Sequence, residues 1–205
     1  MRIELHGAGK RFNRDWIFRN LDYTFGAGGR YALTGANGSG KSTLLQCIAG
    51  TSALSAGTIQ YHLGANNIAT DRIHRHIAFC APYLELVEEM TLVEALQFHQ
   101  GFKPFFANTS FDFIAKEMGL EKAANKEMRH YSSGMKQRVR LAQAFFSHTP
   151  VLLLDEPTAN LDKEGISIYE NLIAEYTKNR LLIIASNVEA EYRFCEAVVR
   201  VENFK

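Results

Sequence analysis

Residues 35 to 43 read GANGSGKST, entered from the strand-like RYALTG and left by the helical stretch LLQCIAG, and no other feature of the chain limits its fold so tightly. A glycine, four residues, a second glycine, a lysine and a hydroxyl residue, set between a strand and a helix, make a phosphate-binding loop. Each residue type has a physical reason to be there. Gly35, Gly38 and Gly40 let backbone N–H groups approach phosphate oxygens, with Asn37, Ser39 and Thr43 completing the loop, and Lys41 neutralises the terminal phosphates. Ser42 can offer its hydroxyl to magnesium.

Such a loop requires an α/β chain with a largely parallel sheet, and the surrounding pattern agrees. VLLLDE (151 to 156) and LLIIAS (181 to 186) are apolar throughout, as buried parallel strands are, and the amphipathic stretch GISIYENLIAEYTKN separates them. AVVRV follows at 197 to 201. The first third is strand-rich, with strands expected at 2 to 5, 21 to 25, 30 to 35, 58 to 62 and 77 to 81. Between about 82 and 147 the pattern turns helical, through VEALQFHQ, FDFIAKEMGL and MKQRVRLAQAFFSH, and reads as a helical insertion in a single domain spanning 1 to 205.

Bulk properties narrow the function by exclusion. With 23 basic and 22 acidic side chains the net charge is +1, so no general field draws in nucleic acid and any anion site must be local. Cys47, Cys80 and Cys195 are odd in number and widely spaced, which suggests neither a disulfide framework nor a zinc site and points to a reducing compartment. MRIELHGAGK has no signal-peptide core, and the longest apolar runs are far too short to cross a bilayer. A soluble protein is expected, in contact with a membrane only through a partner.

Two further stretches carry chemistry. VLLLDE ends on adjacent acids at the carboxyl end of its strand, where open parallel sheets place ligands. Asp155 is suited to hold magnesium and Glu156 to polarise an attacking water as general base. YSSGMKQRV, 131 to 139, poses a problem of charge. Ser132 or Ser133 can cap a helix and Gly134 can bend the chain, yet Lys136, Arg138 and Arg140 load cations onto a helix end whose dipole is already positive. Either these bases pair with acids elsewhere or face water, or an anion docks at the helix start.

GANGSGKST, YSSGMKQRV and VLLLDEPTANLD, in this order and spacing, resemble the ATP-binding domain of ABC transporters over about residues 3 to 201. The resemblance implies a P-loop NTPase fold with a mainly parallel sheet, an N-terminal antiparallel β portion and an inserted helical subdomain. It implies ATP and magnesium as ligands, and two such chains facing head to tail. Each ATP is then sandwiched between the phosphate loop of one and Ser132, Ser133 and Gly134 of the other, with the nearby cations facing the γ-phosphate. Asp162 falls in the loop that meets the opposite subunit. Phe12 falls where the family stacks an aromatic ring on adenine, with Trp16 as competitor and a core role open for both rings. An integral-membrane transporter subunit is the implied second partner, which places the protein peripherally on the cytoplasmic face of a membrane. A non-transport ATPase of this type and a weakly hydrolysing regulatory module are the alternatives.

The sequence departs from the family pattern at three places. Ser133 and Met135 replace a glycine and a glutamine of the signature; Pro82 stands near the place of a magnesium-sensing glutamine, with Glu85 close by; and Asn187 replaces a histidine that contacts the γ-phosphate. Asn187 is nevertheless expected to act in catalysis, since its amide can donate a hydrogen bond. Phe98, Phe102, Phe105, Phe106, Phe111 and Phe113 cluster in the region where family members meet the membrane subunit; a core role is the first expectation, with one or two exposed rings enough for docking.

Overall fold

The structure, a computed structural model, describes all 205 residues. Nine strands and six α-helices fall into two compact units. The first unit comprises Met1–Phe79, Pro150–Glu156 and Asn179–Lys205, and the second Cys80–Thr149 and Pro157–Lys178. The helical insertion expected at 82 to 147 lies in the second unit, together with the amphipathic helix that follows VLLLDE.

In chain order the first unit is built on β1 (Arg2–Phe12), β2 (Asp15–Phe25), β3 (Arg30–Thr34), α1 (Lys41–Ile48), β4 (Ala56–Leu63), β5 (Asn66–Ile68), β6 (Ile77–Cys80), β7 (Val151–Asp155), β8 (Leu181–Ala185) and β9 (Ala197–Arg200). One sheet is antiparallel, in the order β2-β1-β4-β5. The expected first strand stopped at residue 5 because HGAGK breaks the alternation, but β1 runs on to Phe12 through register shifts on both of its edges. Glycine is needed on the strand that crosses it. A Cβ on Gly57 of β4 would come within 2.3 Å of the Gly7 carbonyl oxygen, so the crossing backbones tolerate no side chain.

The second sheet has the order β6-β7-β8-β3-β9, and β7, β8, β3 and β9 run parallel. Every residue of β7 and β8 is buried, which is why both read as unbroken apolar runs. Between the sheets α1 packs against β1, β7 and β8. Leu5, Phe18, Leu21 and Phe25 from the first sheet, Leu44, Leu45 and Ile48 from the helix, and Leu33, Leu153 and Ile183 from the second sheet form one core. Each such side chain contributes about 1.5 to 3 kcal/mol on burial. Tyr61 from β4 donates its hydroxyl hydrogen to Ile48 O at 3.0 Å, occupying one of the free carbonyls at the helix end. Because β3 runs parallel to its neighbours, the loop it opens into shares an edge of the sheet with those after β7, β8 and β9.

The second unit contains α2 (Leu92–Phe102), α3 (Phe111–Glu117), α4 (Ser133–Phe146) and α5 (Lys163–Tyr176). Thr91 and Glu94 form a reciprocal capping box on α2, and Ser110 caps α3. The phenylalanines divide between the two expected roles. Phe105 is buried and Phe106 and Phe111 are half-buried, whereas Phe98, Phe102 and Phe113 are exposed by 56%, 71% and 41%. Phe146 packs edge-on to Tyr176 at 4.8 Å, and Phe145 to Tyr169 at 6.3 Å, joining α4 to α5.

Candidate functional site

GANGSGKST takes the conformation its glycines permit. Gly35, Gly38 and Gly40 have φ of +142°, +76° and +103°, values that L side chains rarely adopt. A Cβ on Gly35 would meet Ser39 Oγ at 2.6 Å and one on Gly40 would meet Ile17 Cγ2 at 2.4 Å, so space as well as torsion excludes other residues. Lys41 opens α1 and is 5% exposed. Its Nζ donates to Gly35 O at 2.8 Å and Ala36 O at 3.1 Å, which holds the cation inside the curve of the loop. Ser39 Oγ is buried with no hydrogen-bond partner. An open pocket of about 540 Å³ lies over the loop, lined by Ile17, Asn37, Gly38, Gly40, Lys41, Ser42, Thr43 and Glu156.

The two acids of VLLLDE separate as their different tasks require. Asp155 is the last residue of β7 and 1% exposed, while Glu156 is exposed and lines the pocket. Six non-glycine residues have positive φ; five are asparagine and the sixth is Glu156, at +42°. A left-handed backbone costs a glutamate about 1 to 3 kcal/mol, and such strain concentrates at functional positions. It is held by the hydrogen bond from Glu156 N to Ala185 O of the neighbouring strand, at 2.9 Å. Ser42 lines the pocket and Asp155 is buried at the end of β7; both are hard oxygen donors of the kind magnesium prefers.

Asn187 lies beyond the end of β8, and its Nδ2 donates to Asn37 Oδ1 at 2.8 Å. The amide thus reaches the phosphate loop. Two neighbours of the phosphate loop have no signature in the sequence. Ile17 lies one position past Trp16 on β2, and only the strand alternation of DWIFRN hints at its direction. Glu202 accepts from Ala36 N at 2.7 Å across 166 residues, a proximity that only the fold creates. The core reading of Phe12 and Trp16 does not hold, because the rings are 52% and 36% exposed on the β1–β2 hairpin. Lys10 Nζ lies 5.1 Å from the Phe12 ring centre, and Trp16 packs over Gly9.

A second pocket, of about 510 Å³, lies in the other unit and is lined by Ser132, Ser133, Gly134, Met135, Arg138, Asn160 and Asp162. Ser132 is the N-cap of α4, its Oγ accepting from Met135 N at 3.2 Å. The first-turn amides of Ser133 and Gly134 have no carbonyl partner within the helix. Gly134 must be glycine, since a Cβ would lie 2.8 Å from Asn160 O. The cations, however, already have partners within the chain. Lys136 pairs with Glu88, Arg138 Nη2 with Asp162 Oδ1 at 2.7 Å and Glu164 Oε2 at 3.3 Å, and Arg140 Nε donates to Leu84 O at 2.6 Å. The expectation that they meet a γ-phosphate is corrected: acids and carbonyls of the same chain already engage them, and Arg138 and Asp162 line the pocket as a pair beside Asn160 and the serines. Asp162 also caps α5, accepting from Gly165 N at 2.8 Å. That hydrogen bond first, and Arg138 second, hold its carboxyl below the usual carboxylate range.

A third, apolar hollow of about 490 Å³ has Leu86, Val87, Met90, Phe98, Phe102 and Met128 in its lining, with Glu85 among the other residues there. No helix is long and apolar enough to cross a membrane.

Comparison with known proteins places these features in context. The ABC transporter family model matches residues 18 to 159. The chain is 31% identical over 193 residues to an uncharacterized ABC transporter ATP-binding protein, YybJ, of Bacillus subtilis, covering 90% of this chain and 85% of that one. It is 28% identical over 169 residues to the cytochrome c biogenesis ATP-binding export protein CcmA of Vibrio vulnificus, covering 82% of each. In fold it is similar to a dimeric ATP-binding cassette solved in a post-hydrolysis state with ADP and Pi, at a TM-score of 0.80 and 22% identity, covering 98% of this chain and 95% of that one.

Proposed function

The chain belongs to the ABC transporter family of ATPase domains, and we propose that it works as a single ATP-binding domain which hydrolyses ATP in a head-to-tail dimer and powers a separate membrane-spanning subunit. The observation that carries this reading is the strained Glu156, whose side chain enters the same pocket as Lys41 and Ser42. Lys41 supplies positive charge to the terminal phosphates, and the loop amides and the Thr43 hydroxyl donate to the remaining phosphate oxygens. Ser42 and Asp155 would hold magnesium, which supplies charge neutralisation and orientation when bound. Glu156 takes a proton from the attacking water, and Asn187 donates toward the charge that develops on the γ-phosphate.

Ser132, Ser133 and Gly134 serve the ATP held by a second copy, through amides and hydroxyls instead of the cations, which are already paired within the chain. Asp162 sets the rim of that pocket by capping α5. Phe12, exposed beside Lys10, is the ring offered to adenine. The apolar hollow around Phe98 and Phe102 is the surface offered to an integral-membrane partner, and it would seat the protein on the cytoplasmic face without lipid contact of its own. A weakly hydrolysing regulatory module is the second reading, favoured by Asn187, whose amide cannot carry a proton and already donates to Asn37.

Steady-state hydrolysis by the purified protein, with Lys41→Ala and Glu156→Gln beside it, tests the reading. Lys41→Ala is expected to stay folded and lose tight ATP binding, and Glu156→Gln to bind ATP without turnover. Wild type no faster than Glu156→Gln would favour the regulatory module, and unchanged affinity in folded Lys41→Ala would sink the phosphate-loop assignment.

A further inference from the structure

In its sheet β3 lies between β8 and β9, and each neighbour sends one side chain to the loop that β3 opens into. Two residues past the end of β8, Asn187 donates to Asn37 Oδ1; two residues past the end of β9, Glu202 Oε1 accepts from Ala36 N–H at 2.7 Å. Adjacent loop residues are therefore gripped from opposite sides. Glu202 stands on a 3₁₀ turn, Val201–Phe204, that is itself anchored: Val201 is fully buried and Phe204 packs against the core. Val201 also backs the far limb of the loop, 3.7 Å from where a Gly40 Cβ would be, and Glu202 Cγ lies 3.4 Å from the corresponding point on Gly35. One short turn thus touches both limbs.

We propose that Glu202 is a positioning residue for nucleotide binding: its carboxylate fixes the Ala36 amide and so presets the Gly35–Asn37 limb before phosphate arrives. The proposal rests on the ATP-binding reading above. A carboxylate next to a polyphosphate site repels its ligand, so charge attraction cannot be its use. A charge-assisted hydrogen bond to a backbone amide is strong and directional, and in a loop with three glycines at positive φ it removes freedom that binding would otherwise have to freeze. Lys41 depends on the same limb, since both carbonyls that hold its Nζ belong to Gly35 and Ala36.

The test compares full-length wild type, Glu202→Ala, Glu202→Gln and Glu202→Asp for Mg-ATP dissociation constant, kcat, and exchange of the Ala36 amide in nucleotide-free protein. Loss of one charge-assisted hydrogen bond predicts ATP affinity about tenfold weaker in Glu202→Ala, with kcat at saturation moving less than about twofold and Ala36 exchange faster. Glu202→Gln keeps the acceptor and loses the repulsion, so it should restore slow exchange and bind ATP at least as tightly as wild type. Glu202→Asp keeps the charge one methylene short and should behave as Glu202→Ala, which preserves the test if the alanine variant fails to fold. Wild-type exchange in Glu202→Ala, or a Glu202→Gln as impaired as Glu202→Ala, overturns the proposal. Wild type that binds no ATP overturns the underlying nucleotide reading and the role of Glu202 in it, and that outcome appears in the control before any variant is compared.

Discussion

The Asn187 amide carries two N–H donors, and one is given to Asn37. The other remains for charge that develops on a transferring phosphoryl group, where a preorganised donor is worth most. An imidazole at this position could also carry a proton; an amide cannot. Asn187→Ala is therefore expected to bind ATP with little change and to hydrolyse it more slowly, on the order of 10²-fold by comparison with the loss of one oxyanion donor. Asn187→His should retain or gain activity and add an inflection to the pH–rate profile between about pH 6 and 8, where imidazole titrates. Rates measured across that range decide it. Asn187→Ala at the wild-type rate, beside an inactive Glu156→Gln, would leave Asn187 a bystander.

At the scale of elements, α2 is tied to the end of α4 through His99, whose Nε2 lies 2.9 Å from Ser147 Oγ while Ser147 donates to Gln143 O at 2.6 Å. The serine hydrogen is spent on the carbonyl, so neutral His99 is the donor to Ser147. Burial first, and the Lys103 charge second, push its pKa down to about 4 from 6.5. The unfolded chain therefore binds a proton that the folded chain refuses between those values. Stability contributed by neutral His99 is present above about pH 6.5 and is lost as pH falls through about 4, a change of about 3 kcal/mol at most. Thermal melting across that window should show the loss, and His99→Gln should flatten it; equal slopes in both proteins would refute it. His99 also shows where sequence reading stops. GANGSGKST and VLLLDE were legible because each keeps its chemistry within one strand and the turn that follows. β1 was cut short because Gly7, at positive φ, and Gly9 look like a turn when their partner strands are unknown. Ile17, Glu202 and the acids that engage Lys136 and Arg138 act across long stretches of chain, and no local pattern announces them.

For the whole molecule, the residues suited to phosphate divide between two pockets of different character. One has a buried lysine and a strained glutamate; the other has a capped helix start whose cations pair with acids of the same chain. The second pocket offers amides, hydroxyls and a carboxylate, Asp162, already paired with Arg138; on the proposed reading it would serve a phosphate held by another copy. Each copy would then contribute its weaker half to the other's site, and closure would depend on ATP. Hydrolysis would remove the γ-phosphate that joins the halves and reopen the pair. Sedimentation of Glu156→Gln with and without Mg-ATP tests this most directly. The expected result is a stable dimer with Mg-ATP, a monomer without it, and a monomer under both conditions when Gly134→Ala is added, because a Cβ there collides with Asn160 O at 2.8 Å and distorts the helix start. A Glu156→Gln protein that is saturated with ATP and still sediments as a monomer would contradict it.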